Sequence, residues 1–246
     1  MPAPVLWTPY CGAAPAPGEW IARWNLDPVL LAAFVFGIAF YFLRSRQPEN
    51  RQRYFGIGIA VLAFLFISPF CALTSALFSA RTAHHIFLTA IAAPLLVSSM
   101  SPIRLPGGLA CWAFAHIAIF WLWHLPSAYA WALGSDAAYW FMQISLLLSA
   151  CGLWVALLQS SAPKAAAALL AMMVQMGLLG ALLTFSGSAL YAPHLLTTQA
   201  WGMSPLQDQQ LAGLIMWVPA AGLYLGAAMF LLARWFRQEA ARGFAT

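Results

Sequence analysis

AAYWFMQISLLLSACGLWVAL, residues Ala137–Leu157, runs 21 residues without a charged side chain. About 20 apolar residues at 1.5 Å per residue span the roughly 30 Å hydrocarbon core of a bilayer. The stretch is therefore predicted as a membrane-spanning helix. Six further apolar runs flank it: Pro28–Leu43, Phe55–Cys71, Ala83–Met100, Gly107–Trp123, Ala165–Phe185 and Gln210–Phe236. The first is short and the last long, and all but the last two are joined by short connectors. The expected fold class is all-α, a polytopic membrane protein built as a bundle of seven transmembrane helices.

Composition excludes the alternatives. Of 246 residues, 63% are hydrophobic and 7% are charged, against about 25% charge in a soluble domain. The net charge of +5 is no nucleic-acid signature, because the basic residues flank apolar runs, where they anchor spans at a membrane surface.

Those basic residues also orient the chain. Arg44, Arg46, Arg51 and Arg53 lie in the first connector, Arg104 in the third and Lys164 in the fifth; Arg234, Arg237 and Arg242 close the chain. The other side keeps Arg23 and Arg81. The positive-inside rule then predicts an outer N-terminus and a cytoplasmic C-terminus. The expected division is an outer tail over 1–27, a bundle over 28–236 with a long outer loop at 191–208, and a cytoplasmic tail over 237–246. No internal repeat is visible, which argues against an inverted-repeat transporter.

Met1–Gly18, rich in Pro, Ala and Gly, lacks a basic region followed by an apolar core and cleavage site. It reads as a retained outer tail with a short 3₁₀ turn or extended segment. Four cysteines are too few for a disulfide scaffold. Cys11 and Cys71 fall on the outer side, where they form an oxidised pair, a soft metal site, or two unrelated residues. Cys111 and Cys151 fall nearer the inner side.

Polar residues at membrane depth are candidate functional groups. His84 and His85 open the third span, and only one is expected to face the bundle centre, since neighbours point about 100° apart. His124 closes the fourth span, with His116 roughly 12 Å deeper at 1.5 Å per residue. His194 lies in the outer loop and Asp208 opens the last span. Together His84, His85, His124, His194 and Asp208 occupy one outer level, with Met203 and Met216 as nearby thioethers, ligand types that suit copper.

Each has a plainer reading. Asp208 is a good N-cap for its own helix, His194 a solvated loop histidine, and His116 a core histidine bonded to a carbonyl. Met172, Met173 and Met176 form a packing stripe. Trp121, Trp123, Trp131, Trp140 and Trp201 read as an outer aromatic belt. Ala165–Ala168, Gly177 and Gly180, and the Gly222/Gly226 pair, read as close helix approaches. Arg81 shares a helix face with His85 and disfavours a cation beside it.

Four segments carry a resemblance. WGMSPLQDQQLAGLIMWVPAAGLYLGAAMFLLAR (Trp201–Arg234), WNLDPVLL (Trp24–Leu31), ISPFCALTSALFSARTAHHIFLTAIAAPLL (Ile67–Leu96) and FWLWHLPSAYAWAL (Phe120–Leu133) resemble, in order, the caa3-type cytochrome c oxidase assembly factor family (CtaG-like integral membrane proteins). The resemblance implies a seven-span bundle that serves maturation of haem–copper oxidases by handling copper. His85, His124 and Asp208 match the family's polar set, while Arg81 and Gln143 stand where members carry histidine.

The leading expectation is a non-enzymatic factor that holds or relays copper at the periplasmic face, with metal ligands drawn from His85, His124, Asp208, His84 and Cys11. Its expected partners are cytochrome c oxidase subunits, a periplasmic copper carrier and the lipid bilayer, and no nucleic acid. The alternatives are a metal-free scaffold for oxidase subunits and a haem-binding membrane protein, for which facing histidines supply axial ligands. A retinal protein is excluded because the one lysine, Lys164, lies in a connector.

Overall fold

The computed structural model describes residues 7, 9–44 and 47–243. Met1–Leu6, Thr8, and Ser45 and Arg46 of the first connector therefore lie outside the described residues, as do residues 244–246 of the expected C-terminal tail. Among the described residues the chain is all-helical, with no strand. In order come α1 (Pro28–Arg44), α2 (Glu49–Phe66), α3 (Pro69–Ala76), α4 (Phe78–Ser99), α5 (Gly108–His124), α6 (Pro126–Leu133), α7 (Asp136–Leu158), α8 (Ala162–Thr184) and α9 (Pro205–Arg242).

Four of these, α4, α7, α8 and α9, are long and apolar enough to cross a membrane, and up to six spans result if each bent pair counts as one. α1 is a shorter apolar helix, and much of it is exposed, as at Phe36 and Leu43. A lipid-facing helix needs no polar outer face, so exposure of such residues costs nothing in a bilayer.

Proline sets the breaks. The expected span Phe55–Cys71 is two helices instead, α2 and α3, bent by 47°. Ser68 caps the second through its hydroxyl, which accepts from Phe70 N, and Pro69 takes the first turn, where its missing N–H is harmless. α5 stops because Leu125 precedes Pro126 and adopts ψ 129°, the extended geometry that a following proline imposes. α6 then leaves at 75°. Pro94 and Pro219 sit inside spans, and each is accommodated by a π turn, Phe87–Ala92 and Met216–Ala220.

α4 begins at Phe78, five residues before the apolar run that signalled it, and packs among α2, α7 and the first half of α9. It is the element that carries the histidine pair into the bundle. α8 and α9 approach most closely at two glycines: a Cβ on Gly180 would meet Gly213 O at 2.7 Å. Gly222 and Gly226, by contrast, have open space where a Cβ would stand. The close approach expected there is not made within the chain.

The N-terminal segment is fastened over the end of the bundle at which α4 begins. Asn25 bonds through its backbone N–H to Ile67 O at 2.9 Å and through Nδ2 to Phe66 O at 3.0 Å. Trp201 Nε1 donates to Pro15 O at 3.0 Å. Cys11 and Cys71 are joined as a disulfide with Cα atoms 5.4 Å apart. Of the alternatives left open for this pair, the oxidised one is observed.

Candidate functional site

The first turns of α4 present Arg81, His84 and His85, all buried. Both histidines are inside the protein, so the expectation that only one faces inward is corrected. At this level the bundle encloses most of α4, leaving one face, Ala80, Ala83 and Phe87, half-buried to exposed. His84 packs its ring on Phe66 and Phe70, with centroids at 5.0 and 6.2 Å. His85 turns the other way, towards the end of α5.

His85, His84 and His124 form a row. The His84 and His85 ring centroids are 5.8 Å apart, and those of His85 and His124 are 6.1 Å apart. His124 Nδ1 lies 2.7 Å from Phe120 O. A carbonyl only accepts, so Nδ1 carries the proton and Nε2 carries the lone pair. His85 Nε2 has no hydrogen-bond partner, nor has either ring nitrogen of His84.

Metal–nitrogen bonds are about 2 Å, which puts a bound ion roughly 3 Å from each ring centroid. A two-coordinate ion between imidazoles thus needs centroids roughly 6 Å apart, the separation that His85 and His124 have. Among the described residues no group of three or more His, Cys, Asp or Glu could hold a metal ion. Two nitrogens are thus the most that those residue types bring together at this row among the described residues.

Asp208 sits elsewhere. It is wholly buried, and its Oδ2 accepts from Phe78 N at 2.6 Å while its Oδ1 accepts from Ser79 N at 3.2 Å and Ser79 Oγ at 2.5 Å. The N-cap of its own helix is Ser204, which exchanges bonds with Gln207 in a capping box. The expectation that Asp208 caps α9 is corrected: it caps α4, its charge set against that helix's positive end. Cys11, in the disulfide, offers no thiolate. Its sulfur lies 3.5 Å from the Tyr139 hydroxyl.

His194 is not a solvated loop residue. Tyr191 and Thr197 anchor its loop to the bundle, through bonds to His124 O at 2.8 Å and Ala76 O at 2.6 Å, so the imidazole is enclosed. Its Nδ1–H points to Ala76 O at 3.4 Å, and its Nε2 accepts from the Tyr129 hydroxyl at 2.7 Å. Burial, then the charge of Arg81, push its pKa down to about 3, against the pull of the Ala76 carbonyl. Both nitrogens are engaged, and His194 stands apart from the row.

His116 bonds Ser149 Oγ at 2.9 Å and not a carbonyl, because Ser149 itself donates to Leu146 O and leaves its oxygen free to accept. Met172 and Met176 are buried beside it. Trp123 is removed from the aromatic belt: it is buried, with Nε1 on Ser145 Oγ at 2.8 Å.

Sequence reasoning missed Tyr129 and Tyr139. Both are buried, and the guanidinium of Arg81 lies 5.2 Å from the Tyr139 ring centroid. Tyr139 precedes Gln143 by four residues, so one face of α7 carries both; that spacing was the available signal.

A family model described as cytochrome c oxidase caa3 assembly factor matches residues 32–114 and 109–238 of the chain. No curated protein and no solved structure matches it.

Proposed function

The chain belongs to the cytochrome c oxidase caa3 assembly factor family, and from that premise we propose that it passes cuprous ion to a haem–copper oxidase under assembly. The observation that carries this reading is the His85–His124 pair, two buried imidazoles with centroids 6.1 Å apart and an unshared nitrogen on each. Two-coordinate nitrogen ligation suits cuprous ion, and few ligands make an exchangeable site, which a relay requires. The cargo is a substrate of the factor, with no catalytic residue involved.

In this reading the bundle has seven spans: the six from long and bent helices, with α1 as the seventh. The basic connectors support an orientation with the N-terminus and the histidine row at the periplasmic face of a bacterial inner membrane. A periplasmic copper carrier delivers the ion, and oxidase subunits receive it. The Nδ1–H bond from His124 to Phe120 O fixes the ring's tautomer and aim, as the outer partners of ligating histidines do.

The test is elemental analysis of detergent-purified protein, loaded anaerobically with cuprous ion and washed with a moderate chelator. Near one copper per chain is expected in the wild type, and none in His85→Ala/His124→Ala. Equal copper in both proteins sinks the pair as the site.

A second reading has its own observation. Gly222 and Gly226 leave an exposed, unfilled strip on α9, where a partner helix could approach closely. A metal-free scaffold would hold an oxidase subunit there. Co-purification with oxidase subunits that survives a copper chelator but is lost in Gly222→Leu supports this role.

A further inference from the structure

We infer that Arg81 anchors a buried binding site for a small monovalent anion of the halide class. The guanidinium is wholly buried; Nε, Nη1 and Nη2 make no hydrogen bond of full geometry, and the polar groups that approach it, the hydroxyls of Tyr129 and Tyr139, are neutral. Arginine stays charged in proteins, and an uncompensated charge inside a bundle is costly. Some partner must offset it.

The chain supplies none. It has six acidic residues, all among those described. Glu19, Glu49 and Glu239 pair with Arg23, Arg53 and Arg242. Asp27 accepts from Val29 N and Leu30 N at the start of α1, and Asp136 is exposed at the start of α7. Asp208 is one turn from Arg81, but its oxygens already take three bonds from Phe78 and Ser79. No carboxylate lies within 4 Å of Arg81 among the described residues.

The surroundings are rich in donors. Gln143, also buried, has neither its Nε2 nor its Oε1 bonded, and His84 has neither ring nitrogen bonded. The Tyr139 hydroxyl is within side-chain hydrogen-bonding reach of both Arg81 and Gln143, and the Tyr129 hydroxyl of Arg81, but neither phenol carries a charge to offset the guanidinium. Water would satisfy these donors and leave the charge uncompensated. An anion does both. Complete burial excludes a lipid phosphate, whereas a halide is scarcely larger than a water molecule. An anion here also lowers the repulsion that Arg81 exerts on a cation at the neighbouring histidines, although the site itself does not depend on the copper reading.

The experiment uses full-length protein purified with gluconate as the only monovalent anion. Bromide replaces gluconate at constant ionic strength, without copper, while tryptophan fluorescence follows thermal unfolding. The wild type is expected to melt at higher temperature as bromide rises, to a plateau, with chloride acting alike. The response should vanish in Arg81→Met and persist in Arg23→Met. If Arg81→Met does not accumulate, Gln143→Leu is expected to weaken bromide about tenfold, the effect of losing one bond to a charged group. Bromine anomalous scattering from crystals should then place the ion beside Arg81. A wild type indifferent to bromide, an equal response in Arg81→Met, unchanged affinity in Gln143→Leu, or density showing ordered water alone overturns the proposal.

Discussion

Asp208 closes the first turn of α4 through Ser79, accepting from its backbone N–H at 3.2 Å and its hydroxyl at 2.5 Å. The bond joins residues 129 positions apart and fixes the height at which the last span meets the third. It sets the histidine row in place from outside the row. Asp208→Ala removes the acceptor from three buried donors, and each unsatisfied buried group costs about 1–3 kcal/mol. A loss of about 3 kcal/mol or more is expected, with Asp208→Asn intermediate and Ser79→Ala costing about 1 kcal/mol. Thermal unfolding of the three variants in detergent checks the order. Asp208→Ala melting with the wild type would show that the cap does not hold α4.

How much of this was legible follows from which forces were local. Apolar runs such as Ala137–Leu157 announce a helix by length alone, and α7 spans Asp136–Leu158. The break at Pro69 was harder to see, because that proline interrupts an apolar stretch without lowering its hydropathy. Asp208 read as a local cap because a carboxylate next to a helix start is a common pattern; its real partners lie across the bundle and leave no trace in neighbouring residues. His194 misled for the same reason, since a loop gives no hint that Tyr129 will cover it. The His85–His124 pairing was legible because two spans of known length placed both at one level.

Gly180 and Gly213 give a second expectation. A Cβ on Gly213 would stand 2.5 Å from Gly180 O and 2.8 Å from Thr184 N. Both are backbone atoms that move only with their helix. Gly213→Ala should therefore force α8 and α9 apart at a cost of about 1–3 kcal/mol. Gly222→Ala meets open space and should leave the melting temperature unchanged. The pair of variants, measured side by side, separates packing from helix propensity.

The His194 imidazole makes stability depend on pH. Its folded pKa lies near 3, below the ordinary 6.5. Between those values the unfolded chain binds a proton that the folded chain refuses, so stability falls as pH drops through that window, by about 1.4 kcal/mol per unit. Above 6.5 the contribution is constant. The slope difference between wild type and His194→Gln, read from unfolding at pH 5 to 7, isolates this residue. Parallel curves would mean that His194 is protonated in the folded protein.

The Cys11–Cys71 disulfide closes a loop with a sequence separation of 60. For a loop of that size, chain entropy sets the stabilisation at no more than about 4 kcal/mol, and less here, since spans in a bilayer keep their helices when unfolded. Alkylation of denatured protein should label two cysteines, Cys111 and Cys151, and four after reduction. Cys11→Ser/Cys71→Ser should release the tail first, so early cleavage near Gly12 by protease is expected while the bundle still melts as a unit. Four labelled cysteines without reductant would show that the bridge does not form.

On the copper reading, the histidine row would set metal preference as well as affinity. With two imidazole nitrogens in reach and no third ligand from His, Cys, Asp or Glu among the described residues, the site meets the needs of a metal content with two ligands. Cuprous and silver ions accept that arrangement, whereas zinc asks for about four ligands and cupric ion for a square-planar or tetragonal set. Purified protein should thus retain cuprous and silver ions through a chelator wash that strips zinc and cupric ions. X-ray absorption of the cuprous form should show two light scatterers at about 2 Å and no sulfur at about 2.3 Å. A sulfur shell would bring a thioether such as Met216 into the site, and preferential zinc retention would end the relay reading, because a four-ligand ion cannot be held by His85 and His124 alone.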